Sequence, residues 1–253
     1  VRTVDLRSGA GWQGIVSILL FICLWHISAL WAGSRLFPGP VSVLSSLLQE
    51  IEEGVLPYHL AITLARVALS FVIAMVTGTA LGIVLGRFRG LDRWLHPWLI
   101  ILLNVPAVVI IILTYVWLGL VETALLVAVA ANKIPNVAVT LREGARALDK
   151  DFAEVAQIYR FRPAVTVREV IIPQLAPYLL AAGRNGLALI WKIVLVVELL
   201  GRSNGVGFQL QSYFQLFDVT RIIAYAAAFV LCVLLIELAL FAPLERRIER
   251  WRR

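Results

Sequence analysis

The chain has 253 residues, of which 60% are hydrophobic and only 15% charged, with a mean hydropathy of +0.88. Soluble domains carry about 25% charged residues and under half apolar ones, so this balance excludes a water-soluble enzyme and a disordered segment alike. Lipid is the solvent for much of the chain, and at about 20 residues per crossing there is room for about six spans. A formal net charge of +7 suggests nucleic acid in a soluble protein; here its meaning depends on where along the chain the charges sit.

The first apolar run, 15–32, lacks a small-residue cleavage pattern and reads as a retained span. Residues 38–57 follow, where Val41, Leu44, Leu47, Leu48 and Ile51 recur at helical spacing and Gly54 offers a stop. This predicts a short amphipathic helix with a structural role, its acidic trio Glu50, Glu52 and Glu53 suited to the outer surface. Five further apolar stretches span 62–85, 95–117, 123–141, 178–199 and 222–240. Pro106 and Pro135 lie inside the third and fourth spans, where a missing N–H predicts a kink or local opening.

Six spans put both termini on one side, and the basic residues say which. Of the 23 Lys and Arg residues, 16 flank one side: Arg2, Arg7, Arg87, Arg89, Arg93, Arg142, Arg146, Lys150, Arg160, Arg162, Arg168 and the five arginines of 246–253. Only Arg35, Arg202 and Arg221 fall on the other. Positive residues stay in the cytoplasm, so both termini and the long loop between spans four and five are expected there. The same rule accounts for the basic character without nucleic acid as a partner. Cys23 and Cys232 lie in apolar runs and read as inert thiols. His26, His59 and His96 have no metal-ligand spacing, and no nucleophile–base set suggests a membrane enzyme.

The cytoplasmic loop carries the functional signal. Asp149 or Asp151 can cap a helix over 152–161, with Pro163 just beyond its end. Phe152, Val155, Ile158 and Tyr159 make one apolar face. Such a helix either docks in a groove on a soluble partner or lies on the lipid headgroups. Inside the membrane, Arg66, Lys133, Arg184, Lys192, Glu198 and Glu237 each require a partner or a function. Arg66 can snorkel to the surface. Arg184 pairs with Glu237 or lines a path. Asn104, Asn132 and Asn136 flank the two prolines, where they satisfy backbone freed by a kink or bond a passing solute.

The loop resembles the signature of the permease subunits of bacterial ABC importers. That signature, the EAA loop, reads E-A-A, three residues, G, nine residues, then I-x-L-P. Here Glu154-Val155-Ala156 and Val170-Ile171-Ile172-Pro173 stand at those intervals without a gap, and Arg160 takes the place of the Gly. FPGPVSVLSSLL, PAVVIIILTYVWLGLVET and WKIVLVVELLGRSNGVGFQL resemble, in order, stretches of the nitrate/sulfonate/taurine-type subfamily.

The resemblance implies an all-α, type I ABC importer permease fold: one transmembrane domain over 1–253 with a coupling loop at about 142–174, in the bacterial inner membrane. It implies a homodimer, two cytoplasmic ATPase subunits and an external solute-binding protein. No G-x-x-x-x-G-K-[ST] phosphate loop exists, so ATP and Mg are expected on the partner and no cofactor on this chain. Phe152, Glu154, Val155, Ala156, Ile158, Tyr159, Arg160 and Pro173 would couple to the ATPase. Asn104, Asn132, Lys133, Lys192 and Glu198 are candidates for the substrate path. Lys133 falls near midplane and Lys192 replaces a residue commonly small or apolar in the subfamily. Doubled across a dimer axis, these lysines favour an anionic solute such as a sulfonate, nitrate or carboxylate; alternatively they form interhelical salt bridges with Glu198 or Glu237 elsewhere in the dimer. A secondary transporter without an ATPase is the competing class, but no convincing internal repeat supports it.

Overall fold

The structure is a computed structural model of the chain that describes residues 11–241 and 243. Arg2, Arg7 and the arginines of 246–253 lie outside the described residues, so their part in the charge count rests on sequence. Among the described residues every regular element is helical. In chain order they are α1 (Gly11–Ala32), α2 (Pro40–Glu52), α3 (Val55–Arg87), α4 (Arg89–Asn104), α5 (Ala107–Leu118) and α6 (Glu122–Arg146). Then come α7 (Lys150–Ile158), α8 (Pro163–Val165), a π-helical turn (Thr166–Ile171), α9 (Ile172–Gly201), α10 (Val206–Gln215), α11 (Val219–Ile236) and a last π-helical turn (Glu237–Phe241).

Five helices are long and apolar enough to cross a membrane, and six if the bent pair α4–α5 counts as one crossing. The expected third span is therefore not a straight helix. It bends by 97° between Asn104 and Ala107. Pro106 has no N–H to offer the preceding turn and holds Val105 in extended backbone, with ψ at 126°. The pair still runs from one end of the bundle to the other. Asp92 near the start of α4 meets Arg142 at the end of α6, whereas the Tyr115 hydroxyl, at the end of α5, donates to the Val197 carbonyl late in α9 over 2.9 Å.

Pro135 leaves α6 unbroken, with no local opening of the helix there. The fifth span also begins earlier than apolarity suggests: α8, the π turn and α9 form one continuous helical rod, Pro163–Gly201. In the π turn the Ile172 N–H reaches back five residues to the Val167 carbonyl, the wider spacing lying immediately ahead of Pro173.

The core forms where α3, α6 and α9 meet, with α5, α10 and α11 packed around them. Glycine sets the α3–α6 contact. A Cβ on Gly78 would lie 2.6 Å from Val137 Cβ, one on Gly82 2.6 Å from the Ala138 carbonyl, and one on Gly86 2.5 Å from Ala145 Cβ. Small residues four apart let two backbones approach, which is how helices associate where lipid removes the hydrophobic drive.

Helix α2 turns most of its apolar stripe outward. Val41, Leu44, Leu48 and Ile51 are exposed, and the buried face carries Val43 and Glu50. Around a membrane-embedded core, the apolar stripe of a peripheral helix faces outward and the polar group goes in.

Candidate functional site

Three places concentrate charge and polarity: a clasp at the end that the charge distribution assigns to the outside, a groove midway along α6 and α9, and the basic loop at the opposite end.

The clasp centres on Arg66 of α3, which does not snorkel; it is 5% exposed. Its Nη1 donates to Glu198 Oε1 over 2.7 Å and to the Asn204 carbonyl over 2.8 Å. Its Nε and Nη2 grip both oxygens of Glu122, and Nη2 also reaches Asn204 Oδ1. Glu198 is wholly buried and accepts further hydrogen bonds from the Gly207 N–H and the Thr63 hydroxyl, each at 2.9 Å. Thr63 in turn accepts the Val206 N–H, and His59 Nδ1 accepts the Gly205 N–H over 2.9 Å. An accepting Nδ1 leaves the neutral ring's proton on Nε2, facing the Gln209 amide. Arg202 completes the set through Glu122 and the Leu120 carbonyl.

The turn between α9 and α10 is built for this clasp. Gly205 has φ +105°, and a Cβ there would stand 2.4 Å from the Glu198 carboxylate. A Cβ on Gly207 would meet the Leu195 carbonyl at 2.3 Å. Glu198, expected on the substrate path, is thus enclosed by its own hydrogen bonds and lines no open surface.

Lys133 is 3% exposed and has neither an ion pair nor a hydrogen bond among the described residues. Its stem packs over Gly186, where a Cβ would lie 3.4 Å from Lys133 Cε. It lines a groove of about 400 Å³ with Asn136, Thr140, Asn185 and small or apolar side chains. On α9, Asn185 and Lys192 are seven residues apart and share one exposed face. Lys192 likewise lacks a partner among the described residues. Arg184 is the cation that pairs with Glu237, at 3.0 Å. Asn104 Nδ2 donates to the Ile100 carbonyl and Asn136 Nδ2 to the Asn132 carbonyl, both in the turn ahead of them. Asn132 itself is half-buried beside Lys133.

In the loop, α7 ends at Ile158, three residues short of the expected limit. Arg160, at the family's Gly position, adopts φ +51°. The Phe161 N–H returns to the Ala156 carbonyl over 2.9 Å, closing the helix in a Schellman turn. This places Ala156, 4% exposed, on the inner side of α7. Phe152, Glu154, Val155, Ile158 and Tyr159 all stay exposed, Ile158 and Tyr159 at above 70%. Pro173 follows the π turn at the start of α9, on the exposed surface.

Sequence reasoning missed a second buried carboxylate. Glu50 accepts from the Tyr213 and Tyr225 hydroxyls at 3.0 and 2.8 Å and forms an ion pair with Arg221, Nε lying 3.0 Å away. The available signal was its helical register with Val43, seven residues earlier on the face opposite the apolar stripe.

A lipid-embedded helical bundle with polar side chains gathered along its spans and an exposed helix in its longest loop defines a membrane transport subunit. The sequence agrees: residues 78–250 match the family described as binding-protein-dependent transport system inner membrane component, and the chain belongs to that family. It is an ABC importer permease of the nitrate/sulfonate/taurine type. A Bacillus subtilis (strain 168) relative named for aliphatic sulfonates transport, SsuC, is 28% identical over 100% of this chain and 92% of its own. The taurine transport system permease protein TauC of Escherichia coli (strain K12) is 28% identical, over 94% of this chain and 88% of its own. The nitrate import permease protein NrtB of Synechococcus elongatus is 24% identical over 77% and 73%. The fold also matches a chain of an amino acid ABC transporter crystal structure, with a TM-score of 0.62 at 23% identity, covering 79% of this chain and 98% of that one.

Proposed function

We propose that this chain forms, with a second copy, the translocation path of a bacterial inner-membrane importer for a small organic or inorganic anion of the sulfonate, nitrate or carboxylate kind. An external binding protein delivers the solute, and two cytoplasmic ATPase subunits bind the exposed face of α7. Both termini and α7 lie in the cytoplasm. ATP and Mg bind the partner subunits, whose closure pulls on α7; the spans then rock to the outward-open state, and hydrolysis returns them.

The observation that carries this reading is α7 itself. A nine-residue helix leaves Phe152, Val155, Ile158 and Tyr159 exposed and closes with a turn at the motif's Gly position. Leaving apolar groups there is unfavourable unless a partner covers them. Lys133 supports the anionic solute: a buried ammonium without a carboxylate partner is costly, and a bound anion would offset that cost. The relatives named for sulfonate, taurine and nitrate transport point the same way.

The test is ATP hydrolysis in lipid by this chain co-expressed with the ATPase encoded beside it. Loaded binding protein is expected to raise the wild-type rate, and Ile158→Glu to abolish both stimulation and copurification of the ATPase. Failure of any ATPase to copurify with the wild type would overturn the reading in favour of a secondary transporter.

A further inference from the structure

The basic end of the bundle contains an open groove of about 1420 Å³ between the ends of α3 and α6, the first turns of α4, and the inner side of the α7–α9 segment. Six arginines line it: Arg87, Arg89, Arg93, Arg142, Arg146 and Arg160. Only two of them are neutralised locally. Asp92 binds Arg142 at 3.0 Å and also Arg146, and Glu143 bonds the same two guanidiniums. Arg87, Arg89, Arg93 and Arg160 are exposed and have no ion pair or hydrogen bond among the described residues. Asp149 also borders the groove, leaving it strongly positive.

We propose that this groove binds the phosphate headgroup of an anionic membrane lipid. Guanidinium groups not paired with carboxylates, as at Arg87, Arg89, Arg93 and Arg160, recognise phosphate oxygens through paired N–H donors. The rest of α4 argues for a lipid source. Leu91, Trp94, Trp98 and Ile101 lie on one face of α4, with Trp94 81% and Trp98 65% exposed. Arg89, Arg93 and His96 lie on the opposite face and line the groove. Tryptophan concentrates at the level of the headgroups, so the arginines stand at the depth where anionic headgroups are found.

The ATPase-facing surface of α7 is separate. Phe152, Ile158 and Tyr159 point away, whereas Ala156, Arg160 and Phe161 border the groove. A headgroup held by Arg89 and Arg93 on one wall and Arg160 on the other ties the end of α7 to the membrane.

The proposal is tested with the full chain and whatever ATPase copurifies with it, in nanodiscs of phosphatidylcholine containing phosphatidylglycerol. After transfer to detergent, native mass spectrometry counts the phosphatidylglycerol retained by the wild type and by R89Q/R93Q. The wild type is expected to retain it and the variant to lose it roughly tenfold or more, at about one kcal/mol per arginine near an anionic surface. Excess inorganic phosphate should leave the lipid in place. Equal retention by the two proteins overturns the proposal. Displacement by inorganic phosphate assigns the groove to a soluble anion instead. Loss of the ATPase with lipid retention unchanged assigns it to an acidic protein segment. Should the double variant fail to fold, R93Q alone is read by the same criteria.

Discussion

Arg66 and Glu198, 132 residues apart in sequence, meet at 2.7 Å with both side chains almost fully removed from solvent. Their contact joins α3 to α9, and the bonds of Arg66 to Glu122 and Asn204 extend it to α6 and to the turn before α10. Removing Arg66 strands the wholly buried Glu198, at a cost of about 3–5 kcal/mol, whereas removing the Glu198 charge leaves Arg66 paired with Glu122 and costs less. Arg66→Met is expected to lower thermal stability in detergent sharply, and Glu198→Gln by a smaller amount. The double variant should lose less than the sum of the two, and strict additivity in that cycle would mean that the pair is not coupled.

Gly205 and Gly90 make a matched comparison. A methyl group on Gly205 meets the Glu198 carboxylate and demands a left-handed backbone, whereas one on Gly90 meets nothing within 4 Å. Gly205→Ala should reduce the folded yield, with backbone strain alone costing about 1–3 kcal/mol. Gly90→Ala should be neutral or stabilise by up to about 1 kcal/mol, since it replaces a helical glycine. Melting temperatures of the two purified variants decide the matter.

Arg160 occupies a left-handed position that glycine adopts more readily. Arg160→Gly is expected to firm the end of α7 by roughly 1 kcal/mol, after subtracting the extra freedom glycine gains when unfolded. The Phe161 amide, which bonds the Ala156 carbonyl, should then exchange its hydrogen several-fold more slowly. Faster exchange would show that the arginine side chain itself holds the turn.

Lys133 separates stability from transport. It has no anionic partner among the described residues, so Lys133→Met removes a buried charge without stranding another. Stability should stay equal or rise. Uptake of the transported anion should fall by roughly tenfold or more, the loss of one charge-assisted hydrogen bond. A large fall in melting temperature would instead assign Lys133 a structural partner.

Hydropathy located the apolar spans, and the capping aspartates, the apolar face of Phe152, Val155, Ile158 and Tyr159, and Pro163 located the loop helix, because both signals are local. What escaped depends on partners distant in sequence. Arg66 looked able to reach the surface until Glu198 and Glu122 came to surround it, and Glu50 looked like a surface acid until two tyrosines and Arg221 closed over it. The two prolines show the same division: Pro106 breaks the chain by 97°, while Pro135 sits in a continuous, well-packed helix. The packing around each, not the residue type, decides the outcome. The repeat Gly78, Gly82, Gly86 was visible in the sequence as small residues every fourth position and signals a close helix contact, but that its partner is α6 is seen only in the structure.

That ladder limits how the chain can move. At three successive levels the α3 backbone touches α6 with no room for a methyl group, so a slide by one residue would drive a side chain into the opposing backbone. Helices α3 and α6 are consequently one mechanical part, bolted at one end by Arg66 and Glu122. Spectroscopic labels on these two helices should keep a constant separation throughout a transport cycle. Labels on α6 and α7 should change their separation in the same cycle, as the proposed pull on α7 requires.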